Sequence, residues 1–376
     1  MARTADVVVI GGGIHGCSTA LHLALRGLKP ILVEKDYAGR HASGVNAGGV
    51  RQLARDLAEI PLSISSMDLW ENVEELVGDD CGFTSHGTVL VAENDEELAG
   101  FKARVDDLRM RGFTHEELID RAELKRLVPA VSDHCPGGVV SRRDGAADPF
   151  RSTQAFRRRA VERGAEIVEG VTVTGLAREG DVWRVETSDG VIEAPKVVNA
   201  AGAWADRIAA MLGEPVPLTV VAPMLMVTSR VPAFIEPVVI LRGRKLSFKQ
   251  LENGTVVIGG GHLATADRDR NETVLDWEKL AISARTVWEL FPAMRAATIV
   301  RAWAGIEAYM PDGIPVVGRS STSEGVFHQF GFSTHGFQLG PGTGAMMAEL
   351  VATGATNVPI DGLEIGRFRH QAPRQS

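Results

Sequence analysis

The chain has 376 residues, of which 44% are hydrophobic and 23% are charged, and its formal net charge is −8. This length exceeds what one compact core usually holds, and the composition is ordinary for a globular protein. The acidic balance argues against general nucleic-acid binding, and no run approaches the ~18 apolar residues of a membrane span.

The cysteines and the N-terminal residues indicate the compartment. Cys17, Cys81 and Cys135 lie far apart and form no CxxC pair, which argues against a disulfide framework and against a zinc site. Residues 1–6 contain no apolar segment typical of a signal peptide. We therefore expect a cytoplasmic protein with no bound metal, no nucleic-acid partner and no membrane span.

The first predicted elements form a β-α-β unit. Residues 6–10 read Asp-Val-Val-Val-Ile, a short buried strand, and residues 17–26 read as a helix that ends at Gly27. Residues 29–33 form a second buried strand, and Glu34 closes the unit.

A glycine motif, G-x-G-x-x-G, lies between the first strand and the helix, which is the context that gives this motif meaning. Its glycines permit a tight turn, a close approach of a pyrophosphate and close packing of helix on strand, while the helix N-terminus attracts phosphate. Glu34 stands where a carboxylate accepts hydrogen bonds from an adenosine ribose. The motif predicts a dinucleotide site whose residues are Gly11, Gly13, Ile14, His15 and Gly16.

The rest of the chain alternates between helical and strand-like patterns. A glycine-rich stretch at residues 39–50 comes first. The predicted elements are then helices at 61–77, 96–110 and within 144–163, strands at 166–198 and 216–262, a helix at 276–290, strands at 298–304 and 326–329, and a helix at 342–353. Residues 256–261 resemble the first glycine motif, but no helical pattern follows them, so we interpret them as the end of a strand.

Five stretches together resemble the D-amino-acid-oxidase-like flavoproteins. They follow the family's order from residue 5 to about residue 355: residues 34–51, Val171-Thr-Val173, Asn199-Ala-Ala-Gly202-Ala-Trp204, residues 303–318, and Gly331-Phe-Ser-Thr-His335-Gly336-Phe. The motifs are most similar to those of glycine and sarcosine oxidase-like enzymes and of the catalytic β subunits of opine and D-hydroxyproline dehydrogenases. The resemblance therefore covers nearly the whole chain.

The resemblance implies an α/β fold, an α+β composite of two domains. A Rossmann-like FAD-binding domain would be discontinuous, comprising residues 1–50, 141–210 and 300–368. A mostly antiparallel substrate-binding domain with helices would comprise residues 51–140 and 211–299.

The resemblance also implies which residues bind FAD. Ser43 would contact the pyrophosphate and ribityl chain, Val173 the adenine, and backbone N–H groups of residues 335–339 the flavin edge. The remaining expected contacts are Lys35, Arg40, Asn46, Ala47, Gly48, Ala201, Gly202, Trp204, Gly305, His335, Gly336, Phe337, Gln338 and Leu339. Asn46 stands where some relatives have a histidine that tethers the flavin, and residues 299–320 contain no cysteine. We therefore expect noncovalent FAD.

Four residues are candidates for the substrate site. Arg51 would bind a substrate carboxylate, although a phosphate-facing or surface arginine is the alternative. Glu307 replaces an arginine usual in glycine-oxidase-like members, so it would hold a cationic amine, with Tyr309 as a hydrogen-bond partner; a purely structural hydrogen-bonded pair is the alternative for both. His335 would lie beside the flavin edge, or serve the structure alone.

The implied chemistry is oxidation of a C–N bond by hydride transfer from the carbon beside an amine nitrogen to flavin N5, followed by hydrolysis of the imine. The substrate would be a small amine, imino acid or amino-acid derivative, hydroxyproline-like or opine-like. Sarcosine-oxidase-type relatives place an oxygen-activating lysine near the flavin, but residues 256–266 contain none. This favours a dehydrogenase that passes electrons to a partner subunit or carrier, with a peroxide-releasing oxidase and a non-catalytic flavin-bound subunit as alternatives.

Overall fold

A computed structural model of the protein describes residues 3–369. Its α-helices are α1 (Ile14–Leu25), α2 (Ala42–Val45), α3 (Ile60–Glu71), α4 (Val73–Val77), α5 (Asp95–Met110), α6 (Arg121–Leu127), α7 (Pro149–Glu162), α8 (Ala205–Met211), α9 (Trp277–Leu290) and α10 (Gly336–Thr353), and short 3₁₀ turns span Gly202–Trp204, Pro292–Ala296 and Ile365–Phe368. None of these helices has the length and apolar character that crossing a membrane requires.

The strands follow the same chain order. They are β1 (Arg3–Thr4), β2 (Val7–Ile10), β3 (Pro30–Glu34), β4 (Gly49–Val50), β5 (Thr88–Ala92), β6 (Glu117–Asp120), β7 (Gly137–Ser141), β8 (Gly145–Ala146), β9 (Glu166–Glu169), β10 (Val173–Glu179), β11 (Val182–Thr187), β12 (Gly190–Ala194), β13 (Val197–Asn199), β14 (Thr219–Thr228), β15 (Val238–Leu241), β16 (Leu246–Gln250), β17 (Val256–Gly259), β18 (Leu263–Asp267), β19 (Glu272–Val274), β20 (Ile299–Ala304), β21 (Glu307–Tyr309), β22 (Val316–Arg319) and β23 (Val326–Phe330). They form several sheets, two of which frame the site described below.

A six-stranded sheet with the order β22-β23-β13-β2-β3-β9 carries the glycine motif. All its pairs are parallel except β22 with β23. Strands β2 and β3 are buried along their whole length, as expected for parallel strands that are covered on both faces. Helices α1, α7 and α10 pack together with this sheet in one hydrophobic core. The strands come from three separate parts of the chain, so the chain leaves this sheet and returns to it.

The largest sheet has eleven strands and forms the other side of the molecule. Its main path runs β19-β18-β14-β17-β16-β15-β5-β7-β6, and only the pairing of β15 with β5 is parallel. Helices α6 and α9 share a second hydrophobic core with it. The structure thus has the predicted composite character, with a parallel sheet and a mostly antiparallel sheet.

The sequence-based boundary at residue 300 differs from the observed strand pairing. Strands β20 and β21 both pair with β14, so residues 299–309 belong to the eleven-stranded sheet. Only β22 and β23 return to the six-stranded sheet. The physical reason is that β14 is ten residues long and bonds to both short strands along one edge, which a local motif does not reveal.

The last helix begins six residues before the predicted start at Gly342. Helix α10 starts at Gly336 and contains Pro341 in its interior. The neighbouring helices supply hydrogen bonds around the proline: the Ser18 hydroxyl donates to the Pro341 carbonyl at 3.2 Å, and the Gly342 N–H donates to the Ser66 hydroxyl at 2.9 Å. Packing against α1 and α3 therefore offsets the break that a proline normally causes.

Candidate active site

A single cavity of about 870 Å³ runs from the N-terminus of α1 to the face of the eleven-stranded sheet. Its volume lies in the range of ligand sites. The predicted site residues in its wall are Gly11, Gly13, Ile14, His15, Glu34, Lys35, Arg40, Ser43, Asn46, Ala47, Arg51, Val173, Ala201, Gly202, Trp204, Gly305, Glu307, Tyr309, His335, Gly336 and Phe337. Four other predicted residues, Gly16, Gly48, Gln338 and Leu339, lie outside this wall.

The turn before α1 is built from backbone groups. The Gly11 N–H donates to the Val33 carbonyl at 2.8 Å, and the Ile14 N–H donates to the Ser43 hydroxyl at 3.0 Å. Gly16 faces inward, where an added Cβ would lie 1.9 Å from the Gly11 carbonyl oxygen. The third glycine therefore serves close packing, and residues 13–15 at the start of α1 line the cavity.

Glu34 ends β3 beside this turn and is only 8% exposed. One carboxylate oxygen accepts the Gly12 N–H at 2.6 Å and the other accepts the Asp36 N–H at 2.8 Å. Burial raises the pKa of Glu34, while these N–H groups oppose the rise. An ionised carboxylate has about four lone-pair sites, so two sites are left for hydroxyl groups of a ligand.

Lys35 and Trp204 form a compact group at the same end of the cavity. The Lys35 ammonium lies 4.1 Å from the centre of the Trp204 ring and donates to Asp36 at 2.5 Å and to Asn271 at 2.9 Å. The His41 ring lies 4.6 Å from the Trp204 ring. Lys35 is thus held by protein contacts, and its part in the wall is mainly to position Trp204.

The loop after α2 carries Asn46 along the wall. The Asn46 amide donates to the Ala42 carbonyl at 2.9 Å, and its oxygen accepts the Gly48 N–H at 2.7 Å. The Trp303 indole on β20 donates to the Val45 carbonyl at 2.8 Å. The Asn46 side chain therefore shapes the loop, and β20 holds the loop against the large sheet.

Lys249 on β16 packs beneath this loop. The side chain is 7% exposed, and its ammonium lies 2.9 Å from where a Cβ of Gly48 would stand. Burial lowers the pKa of Lys249 to about 8, and the charge of Asp148 opposes the shift. Lys249 is opposite Val257 of β17 in the sheet. Residues 256–266 contain no lysine, but Lys249 on the neighbouring strand lies beside the start of that segment.

The N-termini of α1 and α10 meet in the cavity wall. The His15 ring stacks on Phe332 with 3.7 Å between ring centres, and a Cβ on Gly336 would lie 3.0 Å from the His15 ring. Burial lowers the pKa of His15 to about 3, so the ring is neutral. Its buried Nε2 atom has no hydrogen-bond partner within residues 3–369. Two helix N-termini therefore line the same cavity, and a buried imidazole nitrogen between them is unsatisfied.

Glu307 supports the strained loop before α10. Ser333 and Thr334 have positive φ angles of 49° and 71°, a conformation that costs non-glycine residues energy and clusters at functional sites. The Glu307 carboxylate accepts the Thr334 N–H at 2.6 Å. Burial raises the pKa of Glu307 to about 7, and this N–H group opposes the rise. Tyr309, also on β21, lines the wall beside it, and burial raises its pKa as well.

The His335 ring lies between two acceptor oxygens, and in its neutral form it donates its one N–H to one of them. Its Nε2 lies 2.8 Å from a Glu59 carboxylate oxygen and its Nδ1 lies 2.9 Å from the Ser333 carbonyl. Burial lowers the pKa of His335, and Glu59 opposes that shift. The ring thus anchors the start of α10 to the start of α3, so the histidine contributes to the wall by fixing this corner.

Comparison with known proteins identifies the family. The model of the family described as FAD dependent oxidoreductase (DAO) matches residues 6–350. The chain belongs to this family. The resemblance and the mixed α/β fold predicted from the sequence are therefore confirmed, and with them the dependence on FAD.

Several relatives of this flavoprotein cover nearly the whole chain. Mitochondrial sarcosine dehydrogenase of Mus musculus is 29% identical over 387 residues, covering 98% of the chain and 42% of that relative. The chain thus spans less than half the length of this relative. Sarcosine oxidase subunit beta of Rhizobium meliloti is 29% identical over 374 residues, covering 96% of the chain and 88% of that subunit. The solved structure of L-proline dehydrogenase from P. horikoshii is 30% identical, with a TM-score of 0.92 and full coverage of both chains.

The residues present fit FAD. Glu34 keeps lone pairs for the ribose, the α1 N-terminus suits the pyrophosphate, and His15 Nε2 is unsatisfied in the wall. Gly202 has a φ of 53°, and a Cβ there would meet no heavy atom within 4 Å, so this part of the wall is open space. Each feature suits a dinucleotide whose phosphates lie at the fingerprint turn.

The side chains of Gln338 and Leu339 make contacts within the protein, while the flavin contact expected of their backbone N–H groups stays a prediction. The Gln338 side chain accepts the Ser63 hydroxyl at 3.0 Å and donates to the Ser63 carbonyl at 2.8 Å. Its carbonyl accepts the Trp70 indole N–H at 2.8 Å, and Leu339 is fully buried in the core. Two and three residues past Gly336, the side chains of α10 lie against α3 and in the core and are outside the cavity wall.

Three functional candidates escaped the sequence reasoning: Arg55, Glu59 and Asp144. Asp144 is fully buried and its carboxylate accepts the N–H groups of Gln52 and Leu53 at 2.8 and 3.1 Å. This fixes the backbone that follows Arg51. The Asp144-Gly145 pair indicates only a turn, so only a contact across 91 or 92 residues reveals the role of the Asp144 carboxylate.

Proposed function

We propose that this protein uses FAD to oxidise the C–N bond of a small amine, imino acid or amino-acid derivative, hydroxyproline-like or opine-like. The observation that carries the proposal is one cavity whose wall holds Arg51, from the loop after β4, and Glu307 with Tyr309, from β21, next to the start of α10. Bound FAD supplies the hydride acceptor. The residues of the chain bind, orient and deprotonate the substrate.

Arg51 would hold the substrate carboxylate. Its guanidinium lies in the wall and donates to the Leu53 carbonyl, and no carboxylate oxygen in the described part of the chain lies within 4.0 Å of it. A guanidinium pairs with a carboxylate through two parallel hydrogen bonds. Binding the carboxylate in this way orients the substrate, so that the carbon that loses hydride is held in place for the reaction.

Glu307 would accept the ammonium and its proton. Its pKa of about 7 makes the carboxylate half-ionised near neutral pH, which suits a general base. A neutral amine is the form that can release hydride from the adjacent carbon. The product imine then takes up water outside the protein and gives a carbonyl compound and an amine.

We propose that the flavin is bound without a covalent link. The Asn46 side chain is hydrogen-bonded to the backbone of Ala42 and Gly48. The buried thiols of Cys17, Cys81 and Cys135 are not part of the cavity wall. Acid denaturation followed by filtration should release all yellow colour into the filtrate as FAD. Colour retained with the precipitated protein would show a covalent link.

Anaerobic mixing with candidate amines tests the proposed activity. Cyclic amino acids, N-methyl amino acids and opines should be compared, and at least one class should bleach the flavin absorbance. An artificial electron dye should then restore the colour repeatedly. If no amine bleaches a fully loaded protein, the protein is a flavin-bound subunit without its own substrate.

Electrons would pass to a partner subunit or carrier. The name of the Rhizobium meliloti relative describes it as a subunit, which supports a hetero-oligomer here. Three free buried thiols also support a cytoplasmic location, where such thiols stay reduced. Size-exclusion chromatography of the protein purified from its native cell extract tests the partner, and cell fractionation tests the location.

An oxidase that releases hydrogen peroxide is the second candidate, and Lys249 favours it. A buried cation beneath the Gly48 loop would stabilise negative charge on reduced oxygen. Stopped-flow reoxidation in air separates the two functions, with Lys249→Met as the variant and Lys102→Met, an exposed lysine on α5 outside the cavity wall, as the control. Slow reoxidation that is unaffected by either variant supports the dehydrogenase. Fast reoxidation lost only in Lys249→Met supports the oxidase.

A further inference from the structure

We propose that the hairpin formed by β18 and β19 is a clasp that holds the nucleotide end of the cavity closed and controls the exchange of FAD. The tip of this hairpin is the loop at residues 268–271, between the two strands. The clasp presupposes the noncovalent binding of FAD proposed above, but it does not depend on which substrate is oxidised.

The order of the six-stranded sheet shows what the hairpin tip can join. Strand β2 lies between β3 and β13, and all three strands run parallel. Their carboxyl ends therefore meet at one edge, where open α/β sheets bind their ligands. The glycine turn follows β2, so the segments that follow β3 and β13 flank this turn on either side. Lys35 lies in the first segment and Ala203 and Arg207 lie in the second, and all three line the cavity.

One side of the tip binds the segment after β13. The Arg268 guanidinium donates two parallel hydrogen bonds to the Asp206 carboxylate, at 2.6 and 2.9 Å, and a third to the Ala203 carbonyl at 2.7 Å. The Arg268 and Asp206 side chains are 20% and 21% exposed, so water screens this pair less than a surface pair. Asp269 also pairs with Arg207. The tip is therefore tied to the start of α8.

The other side of the tip binds the segment after β3. The Lys35 ammonium donates to the Asn271 side-chain oxygen at 2.9 Å. Asn271 has a φ of 55°, a left-handed conformation that asparagine adopts more readily than most residues. The Asp267 carboxylate shapes the same loop by accepting the N–H groups of Asp269 and Arg270 at 3.0 and 3.1 Å. One ordered loop thus joins both flanks of the glycine turn.

Polar contacts, more than apolar packing, hold the hairpin in this position. Among the residues of β18 and β19, only Ala264 is buried, while Ala266 makes a partly buried contact. Within residues 3–369, β19 pairs with β18 alone, and β18 joins β14 only at its base, through Leu263 and Ala264. Releasing the tip therefore requires the loss of a few polar contacts and little apolar burial.

A clasp has a kinetic signature that a direct cofactor contact lacks. A dinucleotide at the glycine turn lies between the two flanks that the tip joins, so it enters and leaves when the tip is released. Both rate constants are then proportional to the fraction of molecules that are open. Weakening the clasp raises the association and release rate constants by the same factor and leaves the Kd unchanged. Removing a contact to FAD itself raises the release rate constant alone.

The test measures both rate constants of the whole chain. Protein loaded with radiolabelled FAD is mixed with excess unlabelled FAD, and the label that stays bound after desalting gives the release rate constant. The change in flavin fluorescence when the apoprotein binds FAD gives the association rate constant. Arg268→Met removes three hydrogen bonds of a charged group, so both rate constants should rise about 10-fold or more.

A second variant and a matched control accompany this measurement. Asn271→Gly keeps the left-handed backbone and removes the bond from Lys35, so both rate constants should rise roughly 2- to 10-fold. Arg143→Met is the control, because Arg143 binds Glu71 through two hydrogen bonds of 2.7 Å and lies outside the cavity wall. This control should leave both rate constants unchanged.

The outcomes separate the clasp from the proposed function. Unchanged exchange in Asn271→Gly would overturn the clasp even if Arg268→Met were too unstable to load FAD. A rise in release alone, or an equal rise in Arg143→Met, would also overturn it. Label that is never released would do the same, and acid denaturation would show whether a covalent link is the cause. If no amine bleaches the flavin but both rate constants rise as expected, the proposed activity is rejected and the clasp is kept.

Discussion

The cavity has two ends, which we propose bind the nucleotide and the substrate, and they are built in different ways. At the nucleotide end, backbone groups of one short segment do most of the work, and Gly11, Gly16 and Glu34 lie within a single β-α-β unit. At the substrate end, side chains from distant parts of the chain meet, such as Arg51 and Glu307. A site formed by backbone groups tolerates few substitutions that add volume, whereas a site formed by charged side chains is sensitive to substitutions that change their charge.

The largest expected effect comes from adding one methyl group at the nucleotide end. In Gly16→Ala the new Cβ would lie 1.9 Å from the Gly11 carbonyl oxygen, a backbone atom that cannot move without breaking the turn. We expect a loss of ~3 kcal/mol or more in the free energy of unfolding and loss of FAD. Urea unfolding and the flavin content of the purified protein measure both.

Gly100→Ala is the matched control for that variant. Gly100 lies in α5, where an added Cβ would meet no heavy atom within 4 Å. Alanine favours helix over glycine by ~1 kcal/mol, so stability should rise slightly and FAD should stay bound. Equal behaviour of the two variants would contradict the close-packing role of Gly16.

The second prediction tests the substrate end through Arg51. Arg51→Met keeps much of the volume and removes the guanidinium, so kcat/KM for carboxylate substrates should fall roughly 10- to 100-fold. The FAD content should not change, because Arg51 is not part of the nucleotide end. Loss of flavin in this variant would mean that the arginine contacts the cofactor, and the contrast between the two ends would disappear.

The third prediction concerns pH and Glu307. The carboxylate is ionised above its pKa of about 7, so kcat/KM should rise as the pH increases through about 7. Glu307→Gln keeps the size and an acceptor for the Thr334 N–H, but it cannot ionise. This variant should lose roughly 10²-fold or more in activity together with the pH-dependent rise. If kcat/KM still rises with pH in Glu307→Gln, the group that titrates is the substrate amine and not Glu307.

The smallest effect is expected at Ser43, which lies at the proposed nucleotide end. The Ser43 hydroxyl accepts the Ile14 N–H at 3.0 Å and so acts as a cap for α1 from another part of the chain. Ser43→Ala should lower the free energy of unfolding by ~1 kcal/mol, as loss of a helix cap typically does. Thermal unfolding with and without added FAD measures this loss of stability. An equal loss in both states would show that Ser43 caps α1 but does not contact the cofactor.

The contrast also explains how much the sequence could predict. The strand Val7–Ile10, the glycine turn and Glu34 follow from local pattern, because their contacts lie within one contiguous unit. The pairing of β20 and β21 with β14 does not, since the motif at residues 303–318 is continuous in sequence while its strands divide between two sheets. Local periodicity records which residues are buried, but it does not record which distant strand they join.

The substrate end shows the same limit at the level of side chains. Glu59 meets His335 across 276 residues and Arg55 meets Gln338 across 283. Nothing around Arg55 distinguishes it from a surface arginine until its burial and its neighbours are known. Arg51 could be predicted because the resemblance places it in a motif, whereas Arg55 lies in no motif.

The meeting of α1 and α10 in the cavity wall bears on how the protein is made. The two helix N-termini lie at opposite ends of the chain, at Ile14 and Gly336. At a synthesis rate of ~5–20 residues per second, the ribosome needs on the order of tens of seconds to travel between them. The fingerprint turn is synthesised first. Because both helix N-termini line the cavity that we propose binds FAD, we expect the cofactor to bind only after α10 has been synthesised.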